Sequence, residues 1–390
     1  MIAPASQNLF QRVIIESGGC DITQMTLPQA EMVGDEISSH FCNSSSDVIS
    51  CLQSIDAETL LQYSLSKDYL NFFTSDGFRP LIDGLIIPDS IKNLFENGNF
   101  PSNISILTGS TSAEFALFIA GRFEPGWQVE NVTQATLSEW VQQYSEGKST
   151  YLNNTYNPYV NPYVPSTLIN YYGLTDALST CVFQCPVRRT AAYFANDQSG
   201  SVYLYSFEYV PISSKFATLS QAIHGEELPY VFNSPNTTTP IEERLSSDTF
   251  NPDEQTLAWA MSLLWIRFVV HGNPNTPLDN ETSNPLIDQL NQLGGWPKYS
   301  TSNSSSYLVI SNIEMGNSSA TVRLASNGYH SPTCQAWDQV VPNPNITKRC
   351  NADYLGFNCT RTNGVTLNTI SFLLFNPISI FIYLFYQCYF

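Results

Sequence analysis

The residues Ile14–Cys20, "IIESGGC", set a serine between a glutamate and two glycines. A serine there becomes a nucleophile when it tops a strained strand-to-helix turn of the pattern G-x-S-x-G. The first glycine of that pattern is required because the turn leaves no room for a side chain. Ile15 holds that place here. The preceding "QRVII" has the β-branched run of a strand, and the glycines follow the serine. Ser17 therefore reads as the close of a buried strand rather than as a nucleophile. Proton transfer would fall to histidine, of which there are four: His40, His224, His271 and His330. His224 lies in "QAIHGEELP", where the adjacent Gly225 frees a loop to turn the ring toward a cleft. As a base it would take a proton at Nε2 and donate Nδ1–H to a carboxylate. The alternative is a loop histidine bonded to backbone. His271 ends a helical run, where a cation suits the dipole. Glu114 follows the strand-ending Gly109 by five residues, the kind of place where working carboxylates gather in α/β sheets. Its alternative is an acid at the start of a helix over "AEFALFIAG". Glu226 and Glu227 lie too close to His224 in sequence to reach its outer nitrogen.

Strand-like and helical runs alternate around these residues. "RVIIES" (12–17), "ISILTGS" (104–110) and "SVYLYSFEYV" (201–210) read as short buried strands. Helical spacing appears over 27–41, with Met32, Ile37 and Phe41 near one face, over 56–64 with Asp56 as N-cap, and over 189–196. The run 253–272 is apolar nearly all round and reads as a buried helix stopped by Gly272. The polar, Tyr/Asn/Pro-rich stretch 145–165 reads as a surface excursion. Such alternation means an α/β protein with a mostly parallel sheet.

Of 390 residues, 43% are hydrophobic, and the net charge is −18. That charge excludes a nucleic-acid partner, whose phosphates need Lys and Arg. It either concentrates cationic ligands or serves solubility. Nine cysteines are scattered without a C-x-x-C pair, and with so few histidines no metal or other cofactor is expected. N-x-S/T sequons stand at Asn43, Asn103, Asn131, Asn153, Asn236, Asn280, Asn303, Asn317, Asn345 and Asn358. Sequons and cysteines together point to the secretory pathway and the cell exterior. Yet "MIAPASQNLFQRV" has neither the basic start nor the apolar run of a leader, which implies a fragment. The uncharged apolar stretch 369–390 is open to three readings: a GPI-attachment tail, a spanning helix, or spurious translation. Membrane attachment of some kind is the reading favoured.

Several stretches, in order, resemble the type B carboxylesterase/cholinesterase family. "PASQNLFQRVIIESG" resembles the helix and strand after that family's nucleophile elbow, and "SCLQSIDAETLL" its C-L-R-x-x-x-A-x-x-L stretch. "FRPLIDGLIIPDSIKNLFENGNF" resembles its P-x-x-D-G-x-x-x-P segment. "ILTGSTSAEF" is similar to its acid-bearing loop, with Phe115 where the family has Gly, and "AIHGEELPYVF" to its histidine loop. "LLWIRFVVHGNPN" and "WPKYS" resemble the W-x-x-F-A-x-x-G-x-P-N and W-P-x-Y that follow. The resemblance implies an α/β-hydrolase fold, incomplete here: the N-terminal strands, oxyanion loop and nucleophile elbow would lie before Met1. It implies a Ser-Glu-His triad with Glu114 as acid and His224 as base, no nucleophile in this chain, and a small carboxylic ester as substrate. It also implies disulfides Cys42–Cys51 and Cys185–Cys334. Spacing alone adds Cys350–Cys359; Cys20, Cys181 and Cys388 have no assigned partner. Residues 1–340 would be the C-terminal two-thirds of the esterase domain, 341–368 a tail with Cys and Asn, and 369–390 the apolar segment. An esterase, a catalytically inactive adhesion or binding module of the same family, and a non-functional truncated product are the functions left open.

Overall fold

The computed structural model describes residues 2–6, 8–18, 24–67, 78–122, 129–145, 147–197, 200–211, 219, 221–235, 249–301, 305–312, 319–326 and 328–340. Cys20, Cys350, Cys359 and Cys388, the sequons at Asn236, Asn303, Asn317, Asn345 and Asn358, and the tail segments 341–368 and 369–390 lie outside the described residues. The chain divides into two compact units.

The larger unit takes Asn8–Cys20 and Pro101–Gln339. With the strands numbered through the whole chain, its sheet holds β1 (Arg12–Glu16), β4 (Ser105–Thr111), β5 (Val202–Glu208), β6 (Tyr307–Asn312) and β7 (Ala320–Ala325), in the order β1-β4-β5-β6-β7. β1, β4, β5 and β6 run parallel, and β7 pairs antiparallel to β6. The parallel strands are short apolar runs because helices cover them. Ile106, Leu107, Leu204, Tyr205 and Phe207 are wholly buried. β1 stands at an edge of this sheet among the described residues, and Ile14, Ile15 and Glu16 are only half-buried.

The helix Pro252–His271 packs on the sheet through Leu257, Met261, Leu264, Trp265 and Phe268. Its start is fixed by Asn251, whose side chain accepts from the Asp253 and Glu254 amides. Gly272 ends it at φ 67°, the left-handed cap a glycine takes most easily. Its burial is one-sided, contrary to the all-round apolar pattern: Trp259, Ile266, Val269 and Val270 are exposed. The stretch 145–165 is also more than an excursion. It holds the helix Thr150–Tyr156, capped by Ser149, with Leu152 and Tyr156 fully buried. The Tyr156 hydroxyl donates to Asp176 Oδ2 at 2.8 Å, so the polar end of an aromatic side chain is satisfied inside. The disulfide Cys185–Cys334 joins two helices of this unit, Cys185–Asp197 and Ser331–Val340.

The smaller unit takes the described residues of Met1–Gln7 and Asp21–Phe100. It holds the short parallel pair β2 (Met25–Thr26) and β3 (Leu81–Ile82) and the helix Leu27–Cys42. That helix turns Val33 and Ile37 inward onto Met25, while Met32 is exposed. Residues 33, 37 and 41 follow the four-residue spacing of one helix face, and Met32 sits a step to the side. Cys42–Cys51 closes the loop to the next helix. No described helix is long and apolar enough to cross a membrane.

Candidate active site

β4 ends at Thr111, and the chain turns through 112–115 before the helix Ala116–Arg122. Glu114 lies in that turn, two residues ahead of the helix, and is fully buried. Its carboxylate is divided between two jobs. Oε1 accepts the Thr111 backbone N–H at 2.8 Å and the Ser17 hydroxyl at 2.6 Å. Oε2 lies 2.5 Å from His224 Nδ1. A carboxylate oxygen only accepts, so Nδ1 carries the proton and Nε2 is left free to take one. The Glu114 side chain faces His224 rather than the start of the helix Ala116–Arg122.

His224 is 8% exposed, in the loop between β5 and the short helix Leu228–Val231. Gly225 takes φ 74°, the turn that lets the chain reverse beside the ring. Phe183 and Phe118 flank the imidazole at 5.1 Å and 5.6 Å, both tilted by 45°. These rings hold the imidazole orientation and keep water from much of its surface. The loops of Glu114 and His224 are tied through main chain: the Ala113 amide donates to the Ala222 carbonyl at 3.0 Å, and Ala113 bridges Ile223 in parallel.

Ser17 closes β1 and is 2% exposed. Its φ of 52° puts a non-glycine residue in the left-handed region, and its amide donates to the Gly109 carbonyl at 2.8 Å. The hydroxyl faces the acid, not the imidazole. This contact was illegible in the sequence, which separates the two residues by 97 positions. Two further neighbours escaped sequence reasoning: Ser179 Oγ accepts the Phe115 amide at 3.0 Å, and Gln184 Nε2 donates to the Thr111 and Ser112 carbonyls at 3.2 Å each.

The other candidates sit elsewhere. His40 stacks on Tyr63 with ring centroids 4.2 Å apart. His330 is held down to about 4, by burial first and then by the Arg188 charge, so it stays neutral at pH 7. His271 is exposed at its helix end. Glu226 and Glu227 are buried beside His224 in sequence, but the carboxylate at Nδ1 is that of Glu114. Cys181 is buried and outside the two disulfides. Among the described residues no group of three or more His, Cys, Asp or Glu side chains could hold a metal ion.

Comparison with known proteins places the chain in a family. Residues 1–337 match the model of the carboxylesterase family. An acetylcholinesterase from Bungarus fasciatus is 26% identical over 326 residues, covering 77% of this chain and 48% of that protein. Neuroligin-3 from Mus musculus is 28% identical over 291 residues, 71% of this chain and 34% of that one. The human neuroligin-3 gives the same identity over 32% of its length. The chain thus spans about half or less of the curated relatives it matches. The mostly parallel sheet with helical connections and the family match together place the chain in the carboxylesterase family, with that family's α/β-hydrolase fold.

Proposed function

We propose that this chain carries the acid and base, Glu114 and His224, of a serine carboxylesterase that acts on a small carboxylic ester through an acyl-enzyme. The observation that carries the reading is the Glu114 Oε2 to His224 Nδ1 contact of 2.5 Å, with the second carboxylate oxygen fixed by Ser17 and Thr111. That geometry holds one imidazole tautomer and would stabilise the imidazolium formed in the reaction. The reading requires a serine hydroxyl that reaches Nε2, from sequence outside these 390 residues. Its oxygen would attack the ester carbonyl carbon while its proton passes to Nε2. The tetrahedral species would then expel the alcohol, which takes that proton from His224. Water would repeat the cycle on the acyl-serine and release the acid.

The similarity to neuroligin-3 supports a second reading, a catalytically silent module that binds another protein. A purely binding module needs neither a buried carboxylate nor a histidine aligned on it, and so the esterase is preferred. The two separate by experiment. The native protein, captured from its source with an antibody to this chain, should react with a fluorophosphonate probe and hydrolyse p-nitrophenyl acetate. Glu114→Gln expressed in the same form should lose about 10⁴-fold in kcat. A native protein that neither reacts with the probe nor hydrolyses esters overturns the esterase reading.

An extracellular or cell-surface setting belongs to the same proposal. The two disulfides would persist in an oxidising compartment. The five sequon asparagines among the described residues, Asn43, Asn103, Asn131, Asn153 and Asn280, are all exposed and open to glycan attachment.

A further inference from the structure

The acid loop touches a feature that the esterase reading does not use. The helix Ile169–Ser179 does not stop at Ser179 but widens into a π-helical turn, Thr180–Gln184, before continuing as Cys185–Asp197. The Cys185 amide donates to the Thr180 carbonyl five residues back, the hydrogen bond of a π-turn. The consequence is geometric. In an α-helix, residues five apart point about 140° away from each other. The wider turn brings Ser179 and Gln184, five apart, to the same side, and both reach the loop 111–115. Ser179 Oγ accepts the Phe115 amide at 3.0 Å, directly after the acid. Gln184 Nε2 donates to the Thr111 and Ser112 carbonyls at 3.2 Å, three and two residues before it. Both side chains are buried, Ser179 fully and Gln184 to 1% exposure.

Two other amides of the loop and the carbonyl just after it have partners in other elements, while the buried Thr111 hydroxyl has none among the described residues. The Ser112 amide donates to Phe207 O, the Ala113 amide to Ala222 O, and Ala116 O accepts from the Tyr171 hydroxyl at 3.0 Å. Without the π-turn, the buried Thr111 carbonyl, the half-buried Ser112 carbonyl and the buried Phe115 amide would lose these partners. Gln184 itself keeps an orphan: its Oε1 has no hydrogen-bond partner among the described residues. A buried amide with one unmatched oxygen destabilises a fold. Its retention is explained by its two N–H donors, which also settle which end of the amide faces the loop. From the same turn, Phe183 packs on His224 and, at 5.7 Å, on Phe115. Cys185, next along the chain, is fastened to Cys334.

We propose that Ser179 and Gln184, at the two ends of the π-turn, are positioning residues that clamp the loop 111–115 and so hold the Glu114 carboxylate in register with His224 Nδ1. The proposal rests on the reading of Glu114 and His224 as a working acid–base pair. The test is the far-downfield proton resonance of the Nδ1–H···Oε2 hydrogen bond, recorded by NMR on the 390-residue chain and assigned by its loss in Glu114→Gln. Gln184→Met keeps the length of the side chain but has no N–H, and it should shift the resonance or broaden it away while the circular dichroism spectrum is unchanged. Ser179→Ala should do the same, and Ser179→Thr, which keeps the hydroxyl, should restore the signal. That second pair carries the test if Gln184→Met does not fold. A resonance that stays in place in Ser179→Ala and in folded Gln184→Met overturns the clamp and leaves the acid–base pair standing. A parent chain without the resonance overturns the pair, and the clamp with it.

Discussion

The Ser17 hydroxyl donates to Glu114 Oε1 over 2.6 Å, joining the end of β1 to the loop after β4 inside the protein. A serine that resembles a nucleophile by its glycine neighbours instead holds a carboxylate.

That contact is open to substitution. Ser17→Ala removes one of the two hydrogen bonds on Oε1 while Thr111 N–H remains. A charge-assisted bond of this kind is worth about 1.5–3 kcal/mol. Ser17→Gly loses the same bond but relieves a left-handed non-glycine backbone at φ 52°, an offset of about 1 kcal/mol. Urea unfolding should therefore rank the parent above Ser17→Gly, and Ser17→Gly above Ser17→Ala. Equal stability of all three would show that the contact contributes nothing.

Gly109, whose carbonyl accepts the Ser17 amide, has no space for a side chain. A Cβ there would lie 2.3 Å from Tyr205 Cδ1. The Tyr205 ring is fully buried and packs edge-on against Trp265 at 5.2 Å, so it has nowhere to go. Gly109→Ala should cost about 1–3 kcal/mol by overpacking. The near-ultraviolet circular dichroism of the aromatic core should change along with the unfolding midpoint.

Glu16, one residue before Ser17, accepts from the Trp265 indole N–H at 2.5 Å. Burial pushes its carboxyl up from 4.5 to about 7, and the Trp265 bond only partly opposes this. The folded chain thus binds this proton more tightly than the unfolded chain does. The stability that Glu16 contributes is complete below pH 4.5 and is lost as pH rises through about 7. Against Glu16→Gln, which keeps an acceptor for Trp265 but does not titrate, the parent should lose up to about 3 kcal/mol between pH 4.5 and pH 8. Urea midpoints of both proteins at several pH values, followed by tryptophan fluorescence, would read this. A parent-to-variant difference that stays flat with pH contradicts it.

The two disulfides should differ in weight. Cys42–Cys51 spans 9 residues and Cys185–Cys334 spans 149. Chain entropy gives about 3 kcal/mol for the first and about 5 kcal/mol for the second. Cys334→Ser should then lower the unfolding temperature more than Cys51→Ser in parallel calorimetric scans.

Much of the sheet could be read from the sequence because its strands are short apolar runs broken by glycine, and buried parallel strands carry that signature. β1, β4 and β5 fall within a residue or two of the runs 12–17, 104–110 and 201–210. The helix Pro252–His271 was legible in its ends but not in its exposure: composition cannot tell which apolar face of a helix the sheet covers, and Trp259 and Ile266 lie on the other one. In the smaller unit the inward face turned out to hold Val33 rather than Met32, a difference of one position that sequence spacing alone does not fix. Glu114 and His224 stood out through strand-end placement, a neighbouring glycine and the family resemblance. Ser179 and Gln184 did not, because a π-turn has no composition of its own and their partners are backbone groups 64 to 73 residues away. Such contacts become visible only when the chain has closed on itself.

The main-chain bond from Ala113 to Ala222 also gives the site a reporter of its own. That single amide is shut off from solvent only while the loop of Glu114 and the loop of His224 stay together. Its rate of hydrogen–deuterium exchange therefore measures how often the two loops part, with no substrate and no turnover needed. Slow exchange there describes a site assembled before any ligand arrives. Fast exchange, with the core of β4 still protected, describes one that ligand must bring together.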